Sequence, residues 1–180
     1  VWDRALGNAL ASLEPNDDPR QSLNVLVMKS EAIANSMLDG LGREKTAALL
    51  SQLLREFRGQ HFHVTDFYRI AIDQGIDLQA IAGDWLYDAS LPGFLASTVT
   101  SVRLQDDELG NPRYQTRVHI RNDENTPGLV KLNYQWYADK KTPIWDNTEP
   151  VRIAANSSVE VGIVSSSPLG QLFLAPYLSL

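Results

Sequence analysis

Apolar residues recur at three- and four-residue steps through the first half of the chain, the spacing that places them on one face of an α-helix. The widest stripe covers residues 21–41, and Gly42 follows it as a C-terminal cap. A second stripe covers residues 44–57. Thr65 is predicted to cap a third helix over residues 66–74, because its hydroxyl can accept from an unpaired backbone amide. The pattern therefore predicts a run of helices.

Two shorter helices complete the helical half. Apolar residues between positions 2 and 13 keep helical spacing until prolines at 15 and 19 interrupt it. Near the other end, Asp77 is predicted to cap a short helix that carries Leu78, Ile81, Trp85 and Leu86. We therefore expect helical structure up to about residue 94.

The spacing of apolar residues changes from helical to alternating after Pro92-Gly93. Alternation runs through residues 113–121, 130–137 and 159–163, which is typical of strands with one buried and one solvated face. Glycine, proline and asparagine separate these runs, as turns require. About six strands at this spacing favour a small antiparallel sandwich over strand–helix–strand units. The predicted fold is α + β in two pieces: an all-helical segment, 1–94, and an immunoglobulin- or fibronectin-III-like β-sandwich, 95–180.

Composition narrows the classes of function. Hydrophobic residues make up 43% of the chain and charged residues 21%, as in ordinary globular proteins. The net charge of −6 lacks the clustered basic residues that nucleic acid binding needs, so we expect no nucleic acid partner. Without cysteine the chain can form neither disulfides nor thiolate metal sites. The chain starts at Val1 without a methionine, and we expect it to be part of a longer protein whose compartment its residues do not indicate.

Three histidines are the natural candidates for metal or acid–base chemistry. His61 and His63 form an H-x-H pair, but no HExxH motif and no nearby third histidine accompany them. We interpret the pair as a polar turn between helices, and His119 as a solvated strand position. The sequence also lacks a G-x-S-x-G elbow and glycine-rich phosphate-binding motifs. From these motifs we predict neither catalytic residues nor metal ligands in this chain.

Two aromatic residues of the strand-forming half fall on or beside the predicted solvated faces. Tyr137 and Trp145 are candidates for a surface that binds a peptide or a sugar. Packing in the core or between domains is the alternative explanation for both.

The order of several segments in the helical half resembles the closing helices of the catalytic domain in M1-family zinc aminopeptidases, a thermolysin-like domain. The segments are residues 27–33 (Val-Met-Lys-Ser-Glu-Ala-Ile), 38–42 (Leu-Asp-Gly-Leu-Gly), 53–57 (Leu-Leu-Arg-Glu-Phe), 64–67 (Val-Thr-Asp-Phe) and 84–92 (Asp-Trp-Leu-Tyr-Asp-Ala-Ser-Leu-Pro). In that family, a helix that opens on Tyr-x-Lys-Gly leads to a leucine–glycine turn, and a β-sandwich commonly follows the last helix.

The resemblance implies a parent protein rather than an active fragment. The zinc-binding HExxH segment of the family would precede Val1, so zinc and a peptide substrate are expected only in the parent. Val27 stands where the family has the tyrosine that stabilises the transition state, and Ser30 replaces the glycine. We therefore expect no peptide hydrolysis by this fragment, and the parent is either a zinc aminopeptidase or a non-catalytic relative.

The same resemblance suggests what this chain contacts. The apolar stripes of the helices would face a missing upstream catalytic domain, leaving an exposed apolar face that a homodimer could also cover. Some M1-like domains belong to membrane-associated proteins, so a membrane-associated or extracytoplasmic parent is one possibility. A protein- or glycan-binding scaffold module is the alternative function.

Overall fold

The architecture is described from a computed structural model of the chain. It describes residues 7–180 except residues 15, 17, 85 and 140. The chain divides into two compact units, Val1–Leu91 and Pro92–Leu180. The first unit contains the helices and the second contains the strands, so the α + β layout predicted from the sequence is confirmed at this level.

Four α-helices make up most of the first unit. They are α1 (Pro19–Leu41), α2 (Arg43–Glu56), α3 (Val64–Asp73) and α4 (Leu78–Ala82). Gly42 ends α1 with a φ of 83°, which glycine adopts without the strain that a Cβ would add. The side chain of Asp77 accepts from the amide of Ala80 at 2.9 Å, so the predicted cap of α4 is confirmed. The helix ends at Ala82 and does not reach Leu86, and the predicted position Trp85 lies outside the described residues.

One predicted helix is only partly covered by the structure, and the start of another differs from the prediction. Residues 2–6 of the helix predicted over 2–13 lie outside the described residues; in the remainder, Gly7 is helical and Leu10–Ser12 form a 3-10 turn. Helix α3 begins at Val64, with His63 rather than Thr65 as its N-terminal cap residue. The carboxylate of Asp66 accepts from the His63 amide at 2.9 Å, which moves the helix start towards the N-terminus.

The helical unit has one cluster of buried apolar side chains, drawn from all four helices and from the turn before α4. Its members are Met37, Leu49, Leu53, Ile70, Ala71, Ile76 and Leu78. Helix α1 also buries Lys29 completely, and its ammonium group donates to the backbone carbonyl of Asn8. Burial lowers the pKa of Lys29, since desolvation disfavours the charged form.

Seven strands follow, one more than the approximate number predicted. They are β1 (Phe94–Leu104), β2 (Arg113–Asn122), β3 (Gly128–Tyr137), β4 (Pro143–Asn147), β5 (Val151–Ile153), β6 (Ser157–Ser165) and β7 (Gln171–Pro176). The three runs of alternating residues fall in β2, β3 and β6. The last strand, β7, ends at Pro176.

The strands form two antiparallel sheets. In the three-stranded sheet, β2 lies between β1 and β6. In the four-stranded sheet, β3 pairs with β4 and β5 along one edge and with β7 along the other. The two sheets contribute to one apolar cluster, made by Val118, Ile120, Val130, Leu132, Ile153 and Ile163.

A buried asparagine joins the end of β2 to three other backbone segments. The side-chain oxygen of Asn122 accepts from the amides of Gly93 and Glu124, both at 3.2 Å. Its nitrogen donates to the carbonyls of Thr126 at 2.8 Å and Ala154 at 3.1 Å. All four hydrogen-bonding positions of this side chain are used, so burial leaves none of them unpaired.

None of the described helices is both long enough and apolar enough to cross a lipid bilayer.

Candidate functional sites

Val27 lies on an apolar stretch of α1 that faces solvent. Its side chain is 58% exposed, and Leu23 and Leu26 on the same helix are exposed as well. A valine at this position offers only methyl groups, so it supplies no hydrogen bond to a developing oxyanion. The position that the resemblance assigns to a catalytic tyrosine is therefore accessible but chemically inert.

A groove of about 460 Å³ runs beside this stretch of α1. Apolar side chains from α1, α2 and the segment before α3 form most of its wall, among them Leu26, Ile33, Leu38, Leu50 and Phe62. The hydroxyl of Thr46 also borders the groove, but it lies 2.9 Å from the Gly42 carbonyl and is already hydrogen-bonded. The groove can therefore hold apolar groups but offers little for polar recognition.

The histidines are divided between the two units. His61 and His63 are exposed beside the start of α3, and His119 is half-buried on β2. Among the residues that the structure describes, no three histidine, aspartate or glutamate side chains gather in one place. The described side chains do not supply a ligand set that fits zinc.

The two aromatic residues singled out in the strands do lie on one face of the four-stranded sheet. Val130 and Leu132 of β3 point into the shared core, so the alternate positions Asn133, Gln135 and Tyr137 point the other way. We call this second side the outer face. Gln135 pairs directly with Trp145 of β4, which places Trp145 on the outer face too.

The outer face contains a third aromatic residue that the sequence analysis missed. Phe173 of β7 pairs with Asn133, and its ring lies nearly parallel to that of Trp145, with an interplanar angle of 20° and 6.0 Å between centroids. The hydroxyl of Tyr137 donates to the Gln135 side chain at 3.3 Å. The alternation of residues 171–175 could have revealed Phe173, but its neighbours depend on long-range strand pairing.

The strand unit contains a recess whose wall is more polar than that of the groove beside α1. Its volume is about 600 Å³, and Tyr134, Trp136, Asp146, Arg113 and Asp107 contribute to it. Burial, and then the charge of Asp146, raise the pKa of Tyr134, because both disfavour the phenolate. Charges of both signs line this recess, so its electrostatics select no single class of ligand.

No protein-family model matches the chain. No curated protein sequence matches it either.

Proposed function

We propose that this chain is the non-catalytic C-terminal part of an M1-like zinc metallopeptidase. In this proposal the helical unit completes a catalytic domain whose zinc-binding segment lies upstream, and the strand unit buttresses that domain. Peptide hydrolysis and zinc binding belong to the parent protein. The upstream domain is then the main partner of this chain.

The apolar groove beside α1 is the observation that supports the proposal best. Exposed leucines and valine on α1, together with Phe62, form an apolar surface of the kind that marks an interaction site in soluble proteins. The family-like segment 27–33 lies on α1 beside this groove. A catalytic subdomain packed against α1 would bury this apolar surface. The alternative is that a second copy of the chain buries it in a homodimer.

We also propose that the strand unit is a sandwich of the immunoglobulin or fibronectin III type. Two antiparallel sheets that share one apolar cluster support this assignment. The strand order supports it as well: β1, β2 and β6 in one sheet, and β4, β3 and β7 in the other. Such a module commonly follows the catalytic domain in the family that the helices resemble.

Val27 favours a second candidate function, that of a non-catalytic pseudopeptidase. Without a hydroxyl at this position the parent lacks the family's donor to the oxyanion, a loss that typically slows hydrolysis by about 10²- to 10³-fold. The fold would then persist as an interaction surface.

An activity assay on the parent separates the two candidates. The protein expressed from the full coding sequence should hydrolyse aminoacyl anilides slowly, and the 180-residue chain should not. Val27→Tyr in the parent should raise kcat with little change in KM, since a hydroxyl that acts only in the transition state affects the chemical step.

Val27→Phe is the matched control, because it adds the ring without the hydroxyl. It should leave kcat unchanged. A parent that shows no hydrolysis even with Val27→Tyr would refute the peptidase proposal and leave the pseudopeptidase.

A further inference from the structure

We propose that an open recess of the helical unit, at the stacked rings of Tyr68 and Tyr87, binds a small organic cation of the alkylammonium type. The recess has a volume of about 380 Å³ and is lined by α3, α4 and the segment that follows α4. We call it the tyrosine recess. This inference does not rest on the proposed function, because the residues involved take no part in zinc chemistry.

The two tyrosine rings supply the surface for the cation. Their planes meet at 29°, with 6.2 Å between the ring centroids, so each ring holds the other in place. Tyr87 is 52% exposed, which leaves much of its surface accessible to a ligand. Ile72 also lines the recess and is 69% exposed, so it offers an apolar contact to alkyl groups. The face of an aromatic ring carries partial negative charge and attracts a cation within about 6 Å.

A carboxylate without a full set of partners lies beside the rings. Among the residues that the structure describes, Asp84 Oδ1 is the one buried side-chain oxygen or nitrogen without a hydrogen-bond partner. The backbone carbonyl of Asp84 accepts from the Tyr87 amide at 3.0 Å. Burial, and then the charge of Asp84, raise the pKa of Tyr68 to about 12, so this carboxylate is close to both tyrosines. A buried acceptor without a partner is costly, and a cation in the recess would offset part of that cost.

The charges around the tyrosine recess are mainly acidic. Arg69 is the only cationic side chain among the described residues of its wall, and it is already paired with Glu56 at 2.6 Å and Asp73 at 3.2 Å. One cation and two carboxylates leave this group with an excess of negative charge, to which Asp84 adds. The local charge therefore favours a cation. The rings and Ile72 favour one with alkyl groups over a fully hydrated metal ion.

Titration with choline and tetramethylammonium tests the proposal on the 180-residue chain, followed by backbone amide shifts in NMR spectra. Both cations should bind saturably, and the shifted amides should centre on Gln79 and Tyr87, which line the recess. The neutral control is the alcohol in which carbon replaces the nitrogen of choline. It should bind about tenfold more weakly or worse, equivalent to about 1.4 kcal/mol. Added sodium chloride should weaken the binding of choline, because salt screens the attraction between charges.

Four variants separate recognition from folding. Tyr87→Leu removes the ring and should weaken choline binding by about tenfold, whereas Tyr87→Phe keeps the ring and should bind choline as the wild type does. Asp84→Asn removes the charge at nearly constant size. It should weaken the binding of choline but not of the neutral alcohol, and it should lower the pH of the Tyr68 transition. Asp123→Asn removes an exposed acidic group of the strand unit and should change neither.

A peptide that carries a trimethylated lysine distinguishes two sources of the same cation. Tighter binding of this peptide than of choline would place the ligand on a protein side chain, whereas equal binding would indicate a free ammonium compound.

Three results would overturn the proposal. They are no saturable binding of either cation, equal binding of the neutral alcohol, and choline binding that Tyr87→Leu leaves unchanged. The peptidase proposal is unaffected by each of them, since hydrolysis is measured on the parent protein.

Discussion

Replacing Asn122 with alanine should destabilise the strand unit more than any exposed substitution on the same sheets. The side chain is fully buried and makes four hydrogen bonds to backbone groups. Each typical bond contributes about 1 kcal/mol net, and a buried donor left unpaired costs about 1–3 kcal/mol. Alanine leaves the Gly93 and Glu124 amides without this acceptor. The expected loss is therefore about 3–5 kcal/mol, a large share of the stability of a small domain.

Hydrogen exchange measured by NMR provides the assay, because the slowest amides of β3 report the global opening of this unit without contributions from the helices. Asn133→Ala is the matched control. Asn133 is exposed on β3, and its replacement should change the opening free energy by no more than about 0.5 kcal/mol. If Asn122→Ala costs less than about 1 kcal/mol, the hydrogen-bond network does not hold these segments together.

Asn122→Asp adds a test of the direction of each hydrogen bond. The new carboxylate can still accept from the Gly93 and Glu124 amides, but its second oxygen faces the carbonyls of Thr126 and Ala154. Burial and these carbonyls should raise the pKa of the introduced aspartate. Its stability relative to the wild type should therefore fall as the pH rises above about 4, the unfolded pKa. A difference that does not change with pH would contradict the assigned donor and acceptor atoms.

Three further predictions concern single positions. Gly128→Ala would place a Cβ 2.6 Å from the Pro92 ring and should cost about 1–3 kcal/mol, whereas Gly162→Ala meets only an ordinary contact and should be neutral in the same urea unfolding. Lys29→Met removes a buried charge and should be at least as stable as the wild type in thermal unfolding, while Lys29→Ala should lose roughly 2–4 kcal/mol. Burial, and then the charges of neighbouring Asp84 and Tyr87, raise the pKa of Tyr68 from 10.0 to about 12. The stability this contributes is present below pH 10 and is lost as the pH rises to about 12. An absorbance titration should show a tyrosinate transition near pH 12 that Tyr68→Phe lacks.

The sequence predicted the elements whose apolar residues follow a regular period. Helix α1 and strand β2 have one buried stripe or face each, so their positions were recognisable without neighbours. Strand β1 was not placed in advance, because most of its side chains are exposed on both faces and it is defined by pairing with β2. Local hydrogen bonding decided the start of α3. The Asp66 carboxylate accepts from the His63 amide, so His63 and not Thr65 is the N-terminal cap residue.

The candidate sites show the same limit. Tyr137 and Trp145 were recognised because alternation placed them near a solvated face. The stacking of Trp145 on Phe173 depends on β3 pairing with both β4 and β7, and residue 173 is 28 positions from Trp145 along the chain. Similarly, Lys29 sits in an apolar stripe that gives no sign of its complete burial. Long-range register and side-chain direction decide these features, and neither is written in local sequence.

Zinc analysis tests the central claim most directly, namely that this chain completes an M1-like metallopeptidase without containing its metal centre. The measurement compares the purified 180-residue chain with the protein expressed from the full coding sequence, both after exposure to zinc and gel filtration. The account predicts about one tightly bound zinc ion in the longer protein, held by an upstream HExxH segment, and none in the 180-residue chain. A longer protein that binds no zinc, or a 180-residue chain that retains it, would contradict the account.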